Sequence, residues 1–447
     1  MQIGVRQARV RALLNALFQA GLNAVDPARA VRRSVKRGGD ILQIGQRRYD
    51  LRRFDRVVAV GAGKASAGMA AALEAILGDR LESGLVVVKY GHDAPTRRIE
   101  VQEAGHPVPD QAGQRAAGRL LRLVAGLSSK DLLFVLLSGG ASSLLPVPWP
   151  GVTLSDKQRT TRLLLRSGAR IQDINAVRKH LSAIKGGRLA AATKARVVSL
   201  ILSDVPGDQV GAIGSGPTAA DETTYRDAVA VLRGHGLWER VPARVRTCLE
   251  RGRMRRRECP ETPKPGARLF RRVQNYLIGN NEALVDAVAR AAKRAGLKPL
   301  ILSTSLTGEA REAAKVFSAI AREVAGRDRP VPRPCCVIAG GELTVSVRGA
   351  GRGGRAQEFA LAAAMEIHGL SRVWVAALGT DGTDGPTDAA GAVVDGQTVA
   401  SATRQGLDPL AALDRNDAYP LFRTLGAHII TGPTGTNVND LYLLIAL

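Results

Sequence analysis

The stretch RVVAV-GAGKAS-AGMAAALEAIL, residues 56–77, decides how this chain is read: an apolar β-branched run, a turn of small residues, then an Ala-rich helix. The same unit recurs downstream. Further apolar runs are GLVVVKY (84–90), DLLFVLL (131–137), VVSLIL (197–202), NYLIG (275–279), KPLIL (298–302), CCVIA (335–339) and VWVAAL (373–378). Each is followed by a turn of small or polar residues and an amphipathic or Ala-rich segment. Strands alternating with helices in this way form a parallel sheet with crossover helices, and runs apolar throughout suit strands covered on both faces. The fold class is therefore α/β. By contrast ELTVSVR (342–348) alternates polar and apolar residues, which predicts a strand with one exposed face in a second sheet of mixed character.

At 447 residues the chain exceeds the size, about 250–300 residues, at which one core stops growing, so two domains are expected. The Pro-rich segment CPETPKPGARLF (259–270) follows a basic run and is taken as the boundary, giving domains 1–262 and 263–447. No apolar stretch approaches the roughly 20 residues that span a bilayer, and the start lacks a signal-peptide pattern, so a cytoplasmic location is expected. Neither the four cysteines nor the six scattered histidines have metal-ligand spacing, which argues against zinc chemistry; Cys335 and Cys336 read as buried strand residues. A net charge of +24 invites polyanions. Yet the arginines are spread along the chain, aromatics make up only 4%, and the densest run, Arg251 to Arg257, has no interleaved rings for base stacking. A basic surface is preferred to a nucleic-acid arm.

In open α/β sheets ligands lie beyond the carboxyl ends of the strands, so the turns carry the functional reading. In GAGKAS, Gly61 and Gly63 allow a tight turn that exposes amides at a helix start, an anion site. Lys64 then stands at the positive end of the helix dipole, an unfavourable place for a cation unless an anion joins it. In SGGASS, Ser138, Gly139, Gly140, Ser142 and Ser143 can form a nest of donors around phosphate oxygens. A serine nucleophile finds no G-x-S-x-G here. Within DINAVRKHLSAIKGGRLA (173–190), Asn175, Arg178, Lys179 and Ser182 share a helix face, with Lys185 and Arg188 flanking a Gly-Gly break. That row could clamp phosphates, although alone it reads as a solvated face. Asp204 and Asp208 follow a strand and are candidates to hold Mg²⁺ or accept a hydroxyl proton.

In the second half, Asn280 and Asn281 precede a helix, where N-capping explains at least one. Glu342 follows two glycines at a strand end, and Arg352 and Arg355 lie in or beside a glycine-rich loop, suited to carboxylate or phosphoryl recognition. Asp381, Asp384 and Asp388 follow another strand without the full calcium-loop pattern, so a catalytic or Mg²⁺-linked carboxylate is expected among them. Thr434, Thr436, Asn437 and Asp440 precede a closing strand.

In this order, GAGKAS, GHPVPD (105–110), LLSGGASSLL, INAVRKHLSAIKGGRLA, ILSDVPGDQVGAIGSGPT, GGELTVSVRGAGRGGRAQE, LGTDGTDGPTDAAGA and GPTGTNVNDLYLL resemble the glycerate 2-kinases that carry a C-terminal MOFRL domain, over nearly the whole chain. The resemblance implies a Rossmann-like, doubly wound N-terminal domain, a smaller α/β C-terminal domain with a mixed sheet, and an interdomain cleft. It further implies ATP- and Mg²⁺-dependent conversion of D-glycerate to 2-phosphoglycerate, with Lys64 and Arg355 as catalytic cations. Asp204 or Asp384 would serve as the base, Asp204 and Asp208 as metal ligands. The nucleotide would be held by Gly61, Gly63, Ser138, Gly139, Gly140, Ser142, Asn175, Lys179 and Lys185. Two positions depart from the pattern: Ala356 stands where Asn is common, and Ser143 where Ala is common. Neither a nucleic-acid nor a membrane partner is expected, and the protein would be a monomer or homodimer. The rival reading is an NAD(P)H-dependent hydroxypyruvate reductase. Against it, the first turn is G-x-G-K rather than G-x-G-x-x-G, and the approximate ribose-binding position would fall to Glu82.

Overall fold

The apolar runs become strands. In the computed structural model, which describes residues 1–447, six strands hydrogen-bond in the spatial order Val273–Gly279, Arg196–Leu202, Leu132–Leu137, Val57–Ala62, Ser83–Lys89, Ile99–Ala104. The inner pairings are parallel, with Val57 opposite Leu132 and Ala62 opposite Leu137. Numbered along the chain, this is the 3-2-1-4-5-6 order of the Rossmann sheet. Leu132–Leu137 is buried at every position. Each such side chain contributes about 1.5–3 kcal/mol of transfer free energy, which is why the run needs no polar face.

Helix Gln111–Ala125 starts where the Asp110 carboxylate accepts the Gly113 amide (2.8 Å) and buries Ala116, Ala117, Leu120 and Val124. These pack with Val58, Val60, Leu133, Val135, Val197 and Ile201 of the sheet. Helices Leu154–Arg166, Ile171–His180, Tyr225–Gly234 and Ala243–Arg253 contribute to a satellite core with Leu164, Val177, Leu232 and Leu249. A three-stranded antiparallel hairpin, Val35–Gly38, Ile41–Ile44 and Arg47–Asp50, precedes the sheet.

A separate seven-stranded sheet runs Gln2–Ile3, His428–Ile430, Gly391–Asp395, Val373–Gly379, Asp440–Ala446, Cys335–Thr344, Lys298–Glu309. Only the last two pair in parallel; Asp440–Ala446 is antiparallel to both its neighbours, so the sheet is mixed. Helices Ala310–Arg327 and Arg355–Glu366 meet in a core with Phe317, Phe359, Val337, Val375 and Tyr442. Cys335 and Cys336 are buried in their strand as free thiols. The alternation in 342–348 outruns its strand: pairing ends at Thr344, and the residues beyond it form a loop.

The units divide differently from the sequence-based boundary: Pro27–Ile278 forms one, and Met1–Asp26 joins Gly279–Leu447 in the other. Two contacts explain the correction. The Pro-rich segment is stitched into the first unit, where the Thr262 hydroxyl donates to buried Asp221 (2.9 Å) and Asp221 N–H to Pro263 O (2.9 Å). Helix Ala8–Ala24 packs on Asn281–Arg294, with Gly21 set closely against Leu284 and Val288. No helix is long and apolar enough to cross a membrane.

Leu14 and Leu17 of that first helix are fully buried. Leu14→Ala is expected to destabilise the unit containing it by about 2–5 kcal/mol. Trp374, in the same unit, reports its denaturant unfolding once Trp149 and Trp238 are replaced by Phe; an unchanged Trp374 midpoint would refute the assignment of the helix to this unit.

Candidate functional site

The strand order reverses between Val57–Ala62 and Leu132–Leu137, so the turns after these two strands meet. Their backbones interlock. Lys64 N–H donates to Gly139 O (2.8 Å), Ala65 N–H to the Ser138 hydroxyl (3.0 Å), and Ser138 N–H to Ala62 O (3.1 Å). Gly63, at φ +138°, lies so close to Ser138 that a Cβ would overlap its hydroxyl. Gly61 is still within the strand, and a Cβ there would strike Leu136 O. Gly61 and Ser138 thus build the crossing rather than line it: Ser138 is buried and its oxygen is engaged by an amide.

What the interlock leaves over is a donor surface. The Gly139, Gly140 and Ser142 amides have no protein acceptor, the arrangement of an anion nest. Lys64 precedes helix Ser66–Leu77, and its stem lies beside Gly140. So does the His106 ring, while His92 Nδ1 lies 3.1 Å from Lys64 O. Neither histidine was singled out from the sequence, although His106 lies in the GHPVPD segment, the one signal that pointed to it.

The second layer joins Ser142 to distant segments. Its hydroxyl is 2.9 Å from that of Ser215, which donates to Asn175 Oδ1 (3.1 Å). Ser215 sits at φ +62°, a conformation that costs a non-glycine residue about 1–2 kcal/mol. Gly186 N–H donating to Ser215 O (3.0 Å) and Gly187 N–H to Gly216 O (2.7 Å) hold it there and carry Lys185 to the site. Lys185 Nζ donates to Ser142 O (2.6 Å) and Leu145 O (3.3 Å); Lys157 Nζ donates to Pro146 O and Val147 O (both 3.3 Å).

Lys157, Arg178 and Lys185 form a cluster of cations that includes no carboxylate. Burial lowers all three: Lys157 to about 7, Arg178 to about 10, and Lys185 well below the usual lysine range. Each lysine is lowered further by its like-charged neighbours. A buried charge without a counter-charge costs several kcal/mol, so this cluster is a liability unless an anion visits it.

Lys179, one residue from Arg178, does not join them. Its ammonium pairs with Asp221 (3.1 Å), whose carboxylate also accepts from the Thr223 and Thr262 hydroxyls. Although i+4 spacing keeps Lys179 on the Asn175 face of the helix, Asp221 draws its ammonium into a structural ion pair, a correction to its expected nucleotide role. Asp204 and Asp208 follow strand Arg196–Leu202 and are partly buried, with Asp208 in the left-handed region at φ +54°.

In the other unit Arg355 opens helix Arg355–Glu366. Its Nε and Nη2 donate to the two oxygens of Asp440 (2.7 and 3.1 Å), and Nη1 donates to Glu342 (2.6 Å). Asp440 also accepts the Tyr442 hydroxyl (2.8 Å). Burial pushes the Asp440 carboxyl up to about 7 against the pull of Arg355. Burial opposes the Arg355 charge, but Asp440 and Glu342 raise its pKa. Of five guanidinium N–H groups three are engaged, so two remain to be offered outward. Glu342 and Asp440 were both visible beside strands, but nothing local in the sequence paired them with Arg355.

Asp384 differs from its expectation as a base. It accepts from the amides of Ala356 (3.0 Å) and Gln357 (2.9 Å) and from Gln357 Nε2 (3.0 Å), capping the helix that Arg355 begins. Ala356, at the departure from the family pattern, is buried in the core, so its side chain faces no ligand. The loop before Arg355 is held by Asn416 Oδ1, which accepts the Arg348 and Gly349 amides (2.7 and 3.1 Å).

Fold and site together define an α/β protein with a Rossmann-order sheet whose switch point is lined by oxyanion donors. The comparisons give the family. A model described as "Domain of unknown function (DUF4147)" matches residues 13–250, and the MOFRL family model matches 335–440. The D-glycerate 2-kinase of Thermotoga maritima is 45% identical, over 87% of this chain and 90% of its own length. A protein of Agrobacterium vitis named putative hydroxypyruvate reductase is 43% identical, over 97% of this chain and 94% of its own. The crystal structure of a glycerate kinase from Thermotoga maritima superposes with a TM-score of 0.86 at 41% identity, covering 99% of this chain and 100% of that one. The chain belongs to the MOFRL-domain glycerate kinase family, phosphotransferases with an alcohol group as acceptor.

The folded-state value of about 7 for Lys157 has a sign that can be checked. Above pH 7 and below the ordinary 10.5, the unfolded lysine holds a proton the folded one lacks, so raising the pH favours the folded state. Below pH 7 both forms are charged and the penalty is constant. The stability of wild type relative to Lys157→Met is therefore expected to rise between pH 7 and 9.5 in urea titrations; a flat difference would contradict it.

Proposed function

We propose that this protein phosphorylates D-glycerate on its 2-hydroxyl, with ATP as donor and Mg²⁺ as counter-ion, in the cytoplasm. The observation that carries the reading is the donor surface where the two glycine turns cross, the Gly139, Gly140 and Ser142 amides with the Lys64 stem beside them. Phosphoryl transfer asks mainly for positioning and charge neutralisation, which such a surface supplies.

In this reading the glycerate 2-oxygen attacks the terminal phosphorus, the bond to ADP breaks, and the hydroxyl proton passes to a carboxylate. Asp384 is committed to its helix, which leaves Asp204 as the candidate acceptor. Mg²⁺ keeps several waters and needs only one or two protein carboxylates; Asp204 and Asp208, partly buried at a strand end, suit that requirement, and the ion would neutralise phosphate charge. Arg355 would offer its two remaining N–H groups to phosphoryl or carboxylate oxygens, while Asp440 and Glu342 fix its fork.

Reduction of hydroxypyruvate, the activity in the Agrobacterium relative's name, has less support. An acidic residue for the ribose is expected near the carboxyl end of the second Rossmann strand. That end here is Lys89, and Glu82 precedes the strand, at its opposite edge.

ADP release dependent on D-glycerate is expected, with ³¹P NMR showing the 2-phosphate and no oxidation of NADH by hydroxypyruvate. Lys64→Ala and Arg355→Ala are each expected to lower kcat by about 10²–10³ with unchanged circular dichroism. Wild-type turnover in either variant would remove that residue from the mechanism, and NADH oxidation would favour the reductase.

A further inference from the structure

Arg178 is the unexplained member of the cation cluster. Lys157 and Lys185 each spend donors on carbonyls of the 142–147 segment, whereas the Arg178 guanidinium has no hydrogen-bond acceptor and no ion-pair partner in the protein. It is partly buried, with the side chains of Lys157 and Lys185 as neighbours. Asn175, three residues earlier on the same helix, belongs to the hydroxyl network with Ser215 and Ser142, and Lys185 binds the carbonyl of that same Ser142. A planar fork without a protein acceptor therefore stands beside neutral polar groups and two lysine side chains.

We infer that Arg178 is the specificity-determining residue of the site: it takes the carboxylate of the hydroxy acid in a two-pronged contact, with Lys157 and Lys185 behind it. The inference rests on the proposed kinase reading for the identity of the acid, but not for the presence of an anion site. A guanidinium matches the two coplanar oxygens of a carboxylate, whereas an ammonium acts as a point charge. The phosphates of a nucleotide already have the Lys64 turn and the nest amides. The lysines, tied to carbonyls, contribute through space more than by contact. The Asn175, Ser215 and Ser142 network then lies where hydroxyls next to a carboxylate would be read.

The test compares D-glycerate with D-glyceramide, its neutral amide with the same hydroxyls, in wild type, Arg178→Gln and Arg178→Lys. Wild type is expected to prefer the acid strongly. Arg178→Gln should lower kcat/KM for D-glycerate by about 10²–10³, mostly through KM, because truncating one partner of a hydrogen-bonded charge pair leaves the other without its counter-charge. The same variant should leave glyceramide and the KM for ATP within a few-fold, and Arg178→Lys should restore part of the loss. Equilibrium dialysis of labelled D-glycerate without nucleotide gives a readout free of turnover: retention by wild type and loss in Arg178→Gln. A melting temperature for Arg178→Gln no lower than that of ligand-free wild type is expected, since a partnerless cation has been removed. An unchanged acid-to-amide ratio, or a rise confined to the KM for ATP, overturns the inference while leaving the kinase reading intact; the second outcome would assign Arg178 to phosphate. Binding lost in Arg178→Gln with no ATP turnover in wild type would uphold the carboxylate site and reject the kinase.

Discussion

Everything at the candidate site depends on how two glycine turns cross at the reversal of strand order. The Ser138 hydroxyl accepts the Ala65 amide and Gly139 O accepts the Lys64 amide, so each turn supplies what the other lacks. The crossing requires no side chain at Gly63, where Ser138 fills the space. Because these internal needs are met within the crossing, the neighbouring amides of Gly139, Gly140 and Ser142 are left for a ligand. Preorganisation of this kind spares the cost of ordering donors when an anion binds.

The two units present cations in opposite ways. Arg355 is held between Asp440 and Glu342, with Tyr442 behind, so its position is fixed and its charge outweighed by acids. Lys185 and Lys157 are held by carbonyls, Arg178 has no protein acceptor, and no carboxylate pairs with any of the three. The first arrangement favours geometric constancy and the second affinity for an anion. Ser215's left-handed backbone adds to the second site's cost, as expected where local stability is given up for binding.

Several elements escaped the sequence for identifiable reasons. Strand Ile99–Ala104 lies on the sheet edge, and only its two end residues are buried, so its polar sequence carries no apolar run. The hairpin of Val35 to Asp50 is rich in arginine and built from four-residue strands, too short for periodicity to show. Asp384 read as a candidate base because a carboxylate after a strand has the same local signature whether it meets a substrate or caps a distant helix. Lys179 and Arg178 were indistinguishable as neighbours on one helix until Asp221, far along the chain, took one of them.

By itself the sequence determined the apolar strands and the parallel character of the first sheet, since burial on both faces demands continuous apolar runs, and it marked the small-residue turns where ligands bind in such sheets; the equally buried run Val373–Gly379 pairs antiparallel to both neighbours, which its composition did not show. It also named Lys64, Gly139, Gly140, Ser142, Asn175, Lys185 and Arg355. Only the tertiary structure decided which charges are cancelled and which remain, and that the first 26 residues belong with the last 169. The reason is range: strand and turn preferences are set by neighbours in the chain, whereas a charge's state depends on groups tens to hundreds of residues away that folding alone brings within a few ångströms.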